Sequence, residues 1–301
     1  MVLAVDIGGT AVKMALIDKE GHIGSRYQAS TNFDQYKTPM LETVIREAGN
    51  FLRQENARIE GIGVSATGFI DTRTGSVIGA NGIILNYEGS QIKAEMEKAF
   101  SVPVFVLNDA DAAALGEVYA GRAKGYRYVL MVTIGTGVGG GIIIDGKIYG
   151  GVRGIGGEIG QFVLRPGCTG LTGDPHGWYE GFTSTTALVR AAEAATGESG
   201  LNGRIIFERA ANGDKIMLDV LDKWEDDIVY GLEGLVYILN PELILIGGGV
   251  CTQEKLLIEP LRKKLTARLV PCFSENLEIQ AAALGNDAGL IGAYKFYLDN
   301  K

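Results

Sequence analysis

The sequence contains few of the residues that would indicate a disulfide-stabilised or metal-stabilised protein. Three cysteines occur among 301 residues, Cys168, Cys251 and Cys272, and no two of them form a Cys-x-x-Cys pair. Neither a disulfide framework nor a thiolate zinc site is therefore supported. We expect reduced and mostly structural thiols, because free cysteine is among the residues most often buried.

The chain also lacks long apolar runs and an excess of positive charge. No apolar run approaches the ~18 residues that span a membrane, and the N-terminal stretch MVLAVDIGG has neither a basic region nor a cleavage site. The net charge is −8, from 28 basic and 36 acidic residues, which argues against nucleic-acid binding. These absences predict a cytoplasmic protein with neither a membrane nor a nucleic-acid partner.

Glycine, in contrast, is abundant. The chain has 44 glycines against 7 prolines, with 46% hydrophobic residues. The glycines follow no fixed period, so neither a collagen-like nor a disordered chain fits, and the composition is that of a globular protein. Many glycines come directly after predicted strands, which indicates loops that approach a ligand closely.

Apolar runs rich in β-branched residues alternate with amphipathic stretches, which predicts an α/β fold with mixed sheets. The pattern restarts near residue 128, so we expect two similar halves: a smaller domain over 1–117 and a larger one over 118–287, with the helix at 288–301 packing back on the first. Strands are predicted at 2–7, 12–21, 22–30, 59–66, 102–107, 128–134, 140–146, 147–151, 243–248 and 277–284, and helices at 38–55, 91–100, 111–121, 184–196, 205–212, 214–240, 255–269 and 288–300.

Three glycine loops follow predicted strands: DIGGT at 6–10, TIGTG at 133–137 and GGG at 247–249. Glycine exposes backbone N–H groups and threonine adds a hydroxyl, so such loops bind anions without lysine. One loop alone could be a tight turn or a β-bulge. Three together, two of them at equivalent strand ends, predict a bound nucleotide triphosphate. Neither a P-loop nor a Rossmann fingerprint is present.

Two aspartates at strand ends add chemistry to these loops. Asp6 lies in the first loop, where a carboxylate would repel phosphate unless it holds Mg²⁺, directly or through water. Asp109 follows the run VPVFVL and opens a predicted helix. It could simply cap that helix, or it could act as a general base toward an attacking hydroxyl. The neighbouring Asn108 would then hydrogen-bond the same substrate.

The motifs DIGGT at 6–10, NDADAAALGE at 108–117, TIGTGVGGGIII at 133–144, GGEIG at 156–160 and LILIGGG at 243–249 together resemble the repressor–ORF–kinase (ROK) family of sugar kinases. They occur in that family's order and at about its spacing, over essentially the whole chain. The resemblance implies the duplicated ribonuclease-H-like fold of actin and hexokinase. It also implies a sugar and MgATP in the cleft between the domains, transfer of the γ-phosphoryl group to a sugar hydroxyl, and a homodimer.

The resemblance also implies roles for individual residues. Asp109 is the expected catalytic base, and Asp6 is expected to hold Mg²⁺ through water. The residues expected to bind the sugar are Gly68, Asn108, Asp109, Glu158, Gln161 and Glu180. The residues expected to bind ATP are Asp6, Gly8, Gly9, Thr10, Thr133, Gly135, Thr136, Gly137, Gly248 and Gly249.

The sequence departs from the family where many members carry a zinc site, with a histidine and three cysteines. Gln161 stands at the position of the histidine, and Leu171, Gly173 and Trp178 stand at the cysteine positions. These side chains do not ligate zinc, so we expect none. Two possible ligands nearby do not make a structural site: we expect His176 to be a surface residue and Cys168 a packed thiol. Trp178 would fill the vacated space or stack on a sugar.

The loss of the histidine bears on the substrate. A pocket without it leaves the anomeric carbon open, as in the β-glucoside kinases of the family, which phosphorylate the 6-hydroxyl of the non-reducing glucose of cellobiose. A glucokinase or N-acetylmannosamine kinase without zinc stays open, because Glu158 and Glu180 are retained. A non-catalytic sugar-sensing repressor is disfavoured, because DIGGT begins at residue 6 and leaves no room for a preceding helix-turn-helix. An actin-like filament protein would give the sugar-pocket residues no purpose.

Overall fold

The computed structural model describes residues 1–32, 34–80 and 84–301. Its residues group into two compact units of mixed α/β structure. The first unit contains Met1–Lys124, Lys147–Gly156 and Asn286–Lys301, and the second contains Gly125–Gly146 and Gly157–Gly285. No helix among the described residues is both long enough and apolar enough to cross a membrane.

The strands and helices are numbered in chain order. The strands are β1 (Val2–Ile7), β2 (Ala11–Ile17), β3 (Ile23–Ser30), β4 (Gly61–Ala66), β5 (Phe69–Asp71), β6 (Ser76–Gly79), β7 (Val104–Asn108), β8 (Val129–Ile134), β9 (Val138–Ile144), β10 (Lys147–Ile148), β11 (Leu243–Gly247) and β12 (Glu278–Ala281). The helices are α1 (Met40–Gln54), α2 (Ile92–Phe100), α3 (Asp109–Ala120), α4 (Glu180–Thr183), α5 (Thr185–Thr196), α6 (Gly203–Ala211), α7 (Lys215–Leu239), α8 (Glu259–Arg268), α9 (Pro271–Ser274) and α10 (Ala288–Asn300).

The sheet of the first unit has the strand order β3-β2-β1-β4-β7. Strand β1 pairs antiparallel with β2 and parallel with β4, and β4 pairs parallel with β7. The central strands are buried almost throughout, as expected for strands covered on both faces. Helices α1 and α2 contribute to the core on one face of the sheet, and α3 and α10 contribute to the apolar clusters on the opposite face.

Helix α10 approaches its neighbours through glycines. A Cβ atom on Gly292 would lie 1.7 Å from the carbonyl oxygen of Ala112 in α3, and one on Gly63 in β4 would lie 2.1 Å from the carbonyl oxygen of Ala293. Backbone at these distances leaves no room for a side chain. The C-terminal helix is therefore fixed directly against α3 and against β4, the strand beside β1.

In the second unit, strands β9, β8, β11 and β12 lie side by side in that order. Strand β8 pairs antiparallel with β9 and parallel with β11, and β11 pairs parallel with β12. The arrangement repeats that of β2, β1, β4 and β7. A large apolar core, to which α5, α6, α7 and α8 contribute, packs on these strands.

The structure differs from the sequence predictions at several boundaries. The predicted domain boundary after residue 117 falls inside α3, and the first unit continues to Lys124 and regains Lys147–Gly156. The single helix predicted at 255–269 begins as a π-helical turn over Glu254–Ile258, because proline at the start of α8 donates no backbone hydrogen bond. The short β5–β6 ribbon and the short helices α4 and α9 were not predicted.

Candidate active site

The first glycine loop joins β1 to β2 as a tight hairpin. The amide of Gly8 donates to the carbonyl oxygen of Ala11 at 3.0 Å. The hydroxyl of Thr31 donates to the carbonyls of Gly8 and Gly9 at 3.4 and 3.3 Å, and that of Tyr36 donates to Gly9. The carbonyls are thus satisfied by protein. The amides of Gly9 and Thr10 donate to no other described residue, so they are the groups that a phosphate would meet.

Asp6 lies at the carboxyl end of β1, between two side chains that sequence reasoning missed. The Ser65 hydroxyl donates to Oδ1 of Asp6 at 2.8 Å, and the Lys13 ammonium lies 3.6 Å from Oδ2. Lys13 is opposite Asp6 on β2, and Ser65 is opposite it on β4. No motif in the sequence indicates these two residues, because their places beside Asp6 follow from the strand register, which is known only once the strand pairing is known.

The surroundings of Asp6 fit a magnesium ion held through water. Among the described residues there is no group of three or more His, Cys, Asp or Glu side chains that could hold a metal. Since Mg²⁺ keeps several waters and takes one or two carboxylates plus phosphate oxygens, one carboxylate suffices. Asp6 is half-buried. Ser65 occupies Oδ1, and the Lys13 ammonium beside Oδ2 would compete with a directly bound cation, so contact through water suits this carboxylate better than direct ligation.

Asn108, not Asp109, caps helix α3. The Oδ1 atom of Asn108 accepts hydrogen bonds from the amides of Ala110 and Asp111 at 2.8 and 3.3 Å, and its Nδ2 donates to the carbonyl of Gly68 at 2.9 Å. The predicted sugar ligands Asn108 and Gly68 are therefore joined to each other. The capping alternative for Asp109 is wrong, since Asn108 fills that position.

Asp109 is the first residue of α3 and keeps an exposed surface. Desolvation by the surrounding protein, reinforced by the negative charge of Asp6, raises the pKa of Asp109 to about 6. The amide of Ala110 donates to Oδ1 at 2.8 Å and opposes the rise. Because the residue keeps an exposed surface, a substrate hydroxyl can reach it. A carboxylate with a raised pKa is suited to accept a proton near neutral pH.

The second glycine loop, between β8 and β9, is held by α5. The amide of Gly135 donates to the carbonyl of Gly137 at 2.9 Å, and the amide of Thr185 donates to the carbonyl of Gly135 at 2.9 Å. The Thr186 hydroxyl donates to the carbonyl of Thr136 at 2.8 Å. The loop therefore turns its carbonyls toward the helix. Thr133 lies within β8, half-buried.

The two glycines of this loop have different surroundings. A Cβ atom on Gly135 would meet no protein atom within 4 Å, whereas one on Gly137 would lie 2.5 Å from Oε2 of Glu180. The space at Gly135 is open to a ligand. The space at Gly137 is filled by the Glu180 carboxylate, which also accepts the amide of Val138 at 3.2 Å. A side chain at Gly137, one of the residues expected to bind ATP, would therefore meet Glu180 even without a nucleotide.

The third loop shows the same contrast. Gly248 has a φ of 97°, and a Cβ there would lie 2.0 Å from the carbonyl oxygen of Ile134, so this glycine is needed for packing on β8. A Cβ on Gly249 would meet nothing within 4 Å. Gly249 is therefore the glycine of this loop that leaves space for a ligand.

A cavity of about 540 Å³ connects the second and third loops within the second unit. Its size suits a ligand such as a nucleotide. Its lining residues come from both loops, α5 and the start of α6: Gly135, Thr136, Thr185, Thr186, Val189, Arg190, Glu193, Asn202, Gly203, Arg204, Gly249 and Val250. Sequence reasoning identified the loops but missed the α5 and α6 residues, which have no motif.

Two of the missed residues shape that cavity. Asn202 caps α6 by accepting the amide of Ile205 at 3.0 Å. Glu193 accepts the amides of Gly200 and Leu201 at 2.7 and 3.2 Å, which fixes the turn between α5 and α6. The wall of the cavity opposite the glycine loops is therefore a fixed turn.

The remaining predicted sugar ligands lie in the second unit. Glu158 is half-buried and precedes a short 3₁₀ turn that ends at the exposed Gln161. Glu180 begins α4; burial raises its pKa, the Val138 amide opposes the rise, and the negative charge of Asp174 adds to it. Glu180 was expected from the sequence, but no sequence pattern indicated that its carboxylate contacts the second glycine loop.

Residues 161–178, where we expect no zinc, bring a histidine and a tryptophan together. His176 is exposed, as expected, and its ring stacks on Trp178 with centroids 4.8 Å apart. Cys168 is exposed, so the prediction of a packed thiol is wrong: its amide closes a turn onto the carbonyl of Arg165 at the surface. Cys272 is also exposed, and Cys251 is buried. The absence of zinc remains a prediction.

Comparisons with known proteins identify the family of this chain. The family model described as the ROK family matches residues 2–300. A glucokinase of Halalkalibacterium halodurans is 33% identical over 96% of this chain and 92% of its own length. A β-glucoside kinase of Listeria innocua is 32% identical over 100% of this chain and 98% of its own length.

Solved structures lead to the same family. The crystal structure of a ROK family glucokinase from Streptomyces griseus, in complex with glucose and AMPPNP, matches with a TM-score of 0.80 and 31% identity over 97% of both chains. The predicted duplicated ribonuclease-H-like fold, of the actin and hexokinase type, is confirmed by such neighbours. The family match over nearly the whole chain and the relatives above 30% identity identify this protein as a member of the ROK family.

Proposed function

We propose that this protein transfers the γ-phosphoryl group of ATP to the 6-hydroxyl of the non-reducing glucose in cellobiose-type β-glucosides. At the coarser level the chain is an ATP-dependent sugar kinase of the ROK family. The choice of β-glucoside, the hydroxyl and the individual residue roles are the parts that the proposal adds.

The observation that carries the proposal is the state of Asp109. Asp109 keeps an exposed surface at the start of α3, Asn108 caps the helix in its place, and desolvation raises the pKa of Asp109 to about 6. We assign Asp109 as the base that accepts the proton of the sugar hydroxyl. The hydroxyl oxygen then forms a bond to the γ-phosphorus as the bond to ADP breaks, a transfer in which positioning and charge stabilisation supply most of the rate.

The nucleotide is assigned to the cavity of the second unit. The open space at Gly135 and Gly249, on either side of that cavity, allows phosphates or adenosine to contact backbone. Bound Mg²⁺ would neutralise charge on the phosphates. Asp6 would hold it through water, Ser65 would orient Asp6, and Lys13 would add a second positive charge.

The substrate class is inferred from residues 161–178. Gln161, Leu171, Gly173 and Trp178 replace the histidine and cysteines that many relatives place there, and Trp178 stacks on His176 in their stead. A site without a histidine on the anomeric hydroxyl can admit an aglycone. Glu158 and Glu180 are retained, which also suits a glucokinase or an N-acetylmannosamine kinase, and these are the second candidates.

A coupled ADP-release assay with MgATP tests the substrate class. The panel contains glucose, N-acetylmannosamine, N-acetylglucosamine, fructose, cellobiose and an aryl β-glucoside. The proposal predicts a much higher kcat/KM for cellobiose and the aryl glucoside than for glucose. A preference for glucose or an N-acetylhexosamine would reject the β-glucoside assignment and leave the kinase activity standing. Sugar binding without ADP release would indicate a non-catalytic sugar sensor.

A further inference from the structure

One carboxylate closes the loop that leads into Glu180. Asp174 accepts the amide of His176 on Oδ1 and the amide of Trp178 on Oδ2, both at 2.9 Å. Its own carbonyl accepts the amide of Gly170 at 2.8 Å. Asp174 therefore ties the outgoing arm of the loop to the returning arm.

The two arms are in fixed register around this contact. The amides of Leu164 and Arg165 donate to the carbonyl of Gly177 at 2.9 and 3.1 Å, and the amide of Tyr179 donates to the carbonyl of Phe162 at 2.9 Å. The rings of Phe162 and Tyr179 stack with centroids 4.7 Å apart. The chain therefore reaches Glu180 in one register.

Asp174 is also close to the first turn of α4. A Cβ atom on Gly181 would lie 3.2 Å from Oδ2 of Asp174. The amides of His176 and Trp178 outweigh desolvation and keep the pKa of Asp174 below its usual value, so it is ionised at neutral pH. The negative charge of Asp174 adds to the effect of burial in raising the pKa of Glu180. His176 is the titratable group that faces Asp174.

We propose that Asp174 is a positioning residue for Glu180: it holds the returning arm of the 162–180 loop so that the Glu180 carboxylate stays against the second glycine loop and binds the sugar. The inference rests on the proposed sugar kinase activity. According to this proposal, the hydrogen-bonded carboxylate of Asp174 orders the loop. Leu171, Gly173 and Trp178 of the same loop offer no metal ligands that could do so.

Kinetics of Asp174→Asn, with Asp214→Asn as the matched control, test this role. Asp214 likewise accepts two backbone amides in the second unit, those of Ile216 and Met217 at 3.0 and 3.3 Å. Losing an acceptor and a charge should raise the sugar KM of Asp174→Asn about ten-fold, with the ATP KM within about two-fold. Asp214→Asn should change neither constant. Equal increases in both constants, or an unchanged sugar KM, would overturn the inference.

The pH dependence of sugar binding separates positioning from general loosening. If Glu180 binds the sugar when ionised, the dissociation constant of the wild type rises as pH falls through the raised pKa of Glu180. Asp174→Asn removes the neighbouring negative charge and should lower the pKa of Glu180, so the rise in the dissociation constant should begin at a lower pH. Merely structural damage would raise the dissociation constant at every pH and leave the onset of that rise in place, and that result would contradict the proposal.

Trp178 gives a readout that is independent of activity. It is one of two tryptophans, and the other, Trp224, is buried and can be replaced by phenylalanine. In that background, Asp174→Asn should increase quenching of Trp178 by acrylamide, whereas Asp214→Asn should not. A wild type without sugar-dependent turnover would reject the proposed function, and unchanged quenching would reject Asp174 as the residue that holds the loop.

Discussion

The two glycine loops occupy the same place in two similarly ordered sets of strands, but their neighbours differ. Asp6 ends β1 opposite Lys13 on one side and Ser65 on the other. Thr133 is at the equivalent position of β8, opposite Gly139 and Gly247. One loop therefore carries a carboxylate, an ammonium and a hydroxyl, and the other carries glycines around a neutral threonine.

This difference indicates a division of labour between duplicated elements. A triphosphate is repelled by carboxylates unless a metal lies between them, so phosphate is best placed away from acidic groups. In the second loop that place is beside Gly135, where the space is open, and not beside Gly137, where the Glu180 carboxylate lies. The first unit contains Asp6 and Asp109, and desolvation, reinforced by the negative charge of Asp6, raises the pKa of Asp109. We infer that the first unit supplies the metal ligand and the base, whereas the second supplies the nucleotide site. Each variant below is designed to break one side of that division.

The largest effect is expected for Asp109→Asn. Removing a general base costs about 10²–10⁴-fold in rate, so kcat should fall by that factor while the dissociation constant for ATP stays unchanged. Calorimetric titration with a non-hydrolysable ATP analogue measures the latter. Turnover near the wild-type level would remove Asp109 from the mechanism.

The same residue predicts the acid limb of the wild-type rate. The pKa of Asp109 is raised above its usual value to about 6, so the carboxyl is protonated below that pH and cannot accept a proton. We expect kcat to fall as pH drops through about 6, as measured over pH 4.5 to 8. A kcat that is constant down to about pH 5 would contradict the assignment.

Asp6→Asn should have the next largest effect. The neutral side chain keeps a hydrogen bond to Ser65 but loses the charge that attracts Mg²⁺ and Lys13. We expect kcat to fall about 10²-fold, in line with the loss of one electrostatic group at a reaction centre, and the Mg²⁺ concentration for half-maximal rate to rise. The exposed Asp145→Asn in the second unit serves as the control. Unchanged Mg²⁺ dependence would mean that Asp6 is structural.

Two neighbouring glycines test the second loop. Gly135→Ala adds a methyl group that no protein atom within 4 Å opposes, so only a bound nucleotide can collide with it. Its ATP KM should rise roughly ten-fold, about 1.4 kcal/mol, with the sugar KM unchanged. Gly137→Ala displaces Glu180 and should raise the sugar KM as well. Identical behaviour of the two variants would refute the distinction drawn between these glycines.

A smaller effect is expected from the C-terminal helix. A Cβ on Gly289 would lie 2.8 Å from Oδ1 of Asp6 and 3.2 Å from the Ser65 hydroxyl. Gly289→Ala should therefore move Asp6 and lower kcat several-fold, because mild overpacking beside Asp6 costs about 1 kcal/mol. Gly234→Ala in α7, where a Cβ meets nothing within 4 Å, is the matched control. Equal rates for both variants would show that Asp6 tolerates the displacement.

No effect at all is expected from zinc removal. Since the side chains at 171, 173 and 178 cannot ligate zinc, treatment with a zinc-selective chelator should leave kcat and the sugar KM unchanged. Metal analysis of the purified protein should find no stoichiometric zinc. About one zinc per chain would overturn the interpretation of residues 161–178.

The sequence predicted elements whose signal is local. Helix α10 and strand β1 agree with their predicted bounds because their apolar patterns end at residues that break them. The β5–β6 ribbon was missed because strands of three and four residues carry too little pattern. The helix predicted as one segment at 255–269 is instead a π-helical turn from Glu254 followed by α8 from Glu259, because Pro260 has no amide hydrogen to donate.

The candidate site was predictable only where a motif exists. The glycine loops and Asp109 follow strands and could be identified from their chemistry. Lys13 and Ser65 depend on strand register, and the contact between Gly137 and Glu180 joins residues far apart in the chain. Such partners are set by tertiary pairing, so no local pattern indicates them.

The most direct test of the account is the stoichiometry of phosphoryl transfer by the wild type. Cellobiose and glucose are each incubated with MgATP, and ADP and phosphorylated sugar are counted by chromatography and mass spectrometry. The account predicts one sugar phosphate for each ADP, and ADP formation that depends on the sugar. ADP formed at the same rate without sugar, or sugar left unphosphorylated while ATP remains intact, would contradict it.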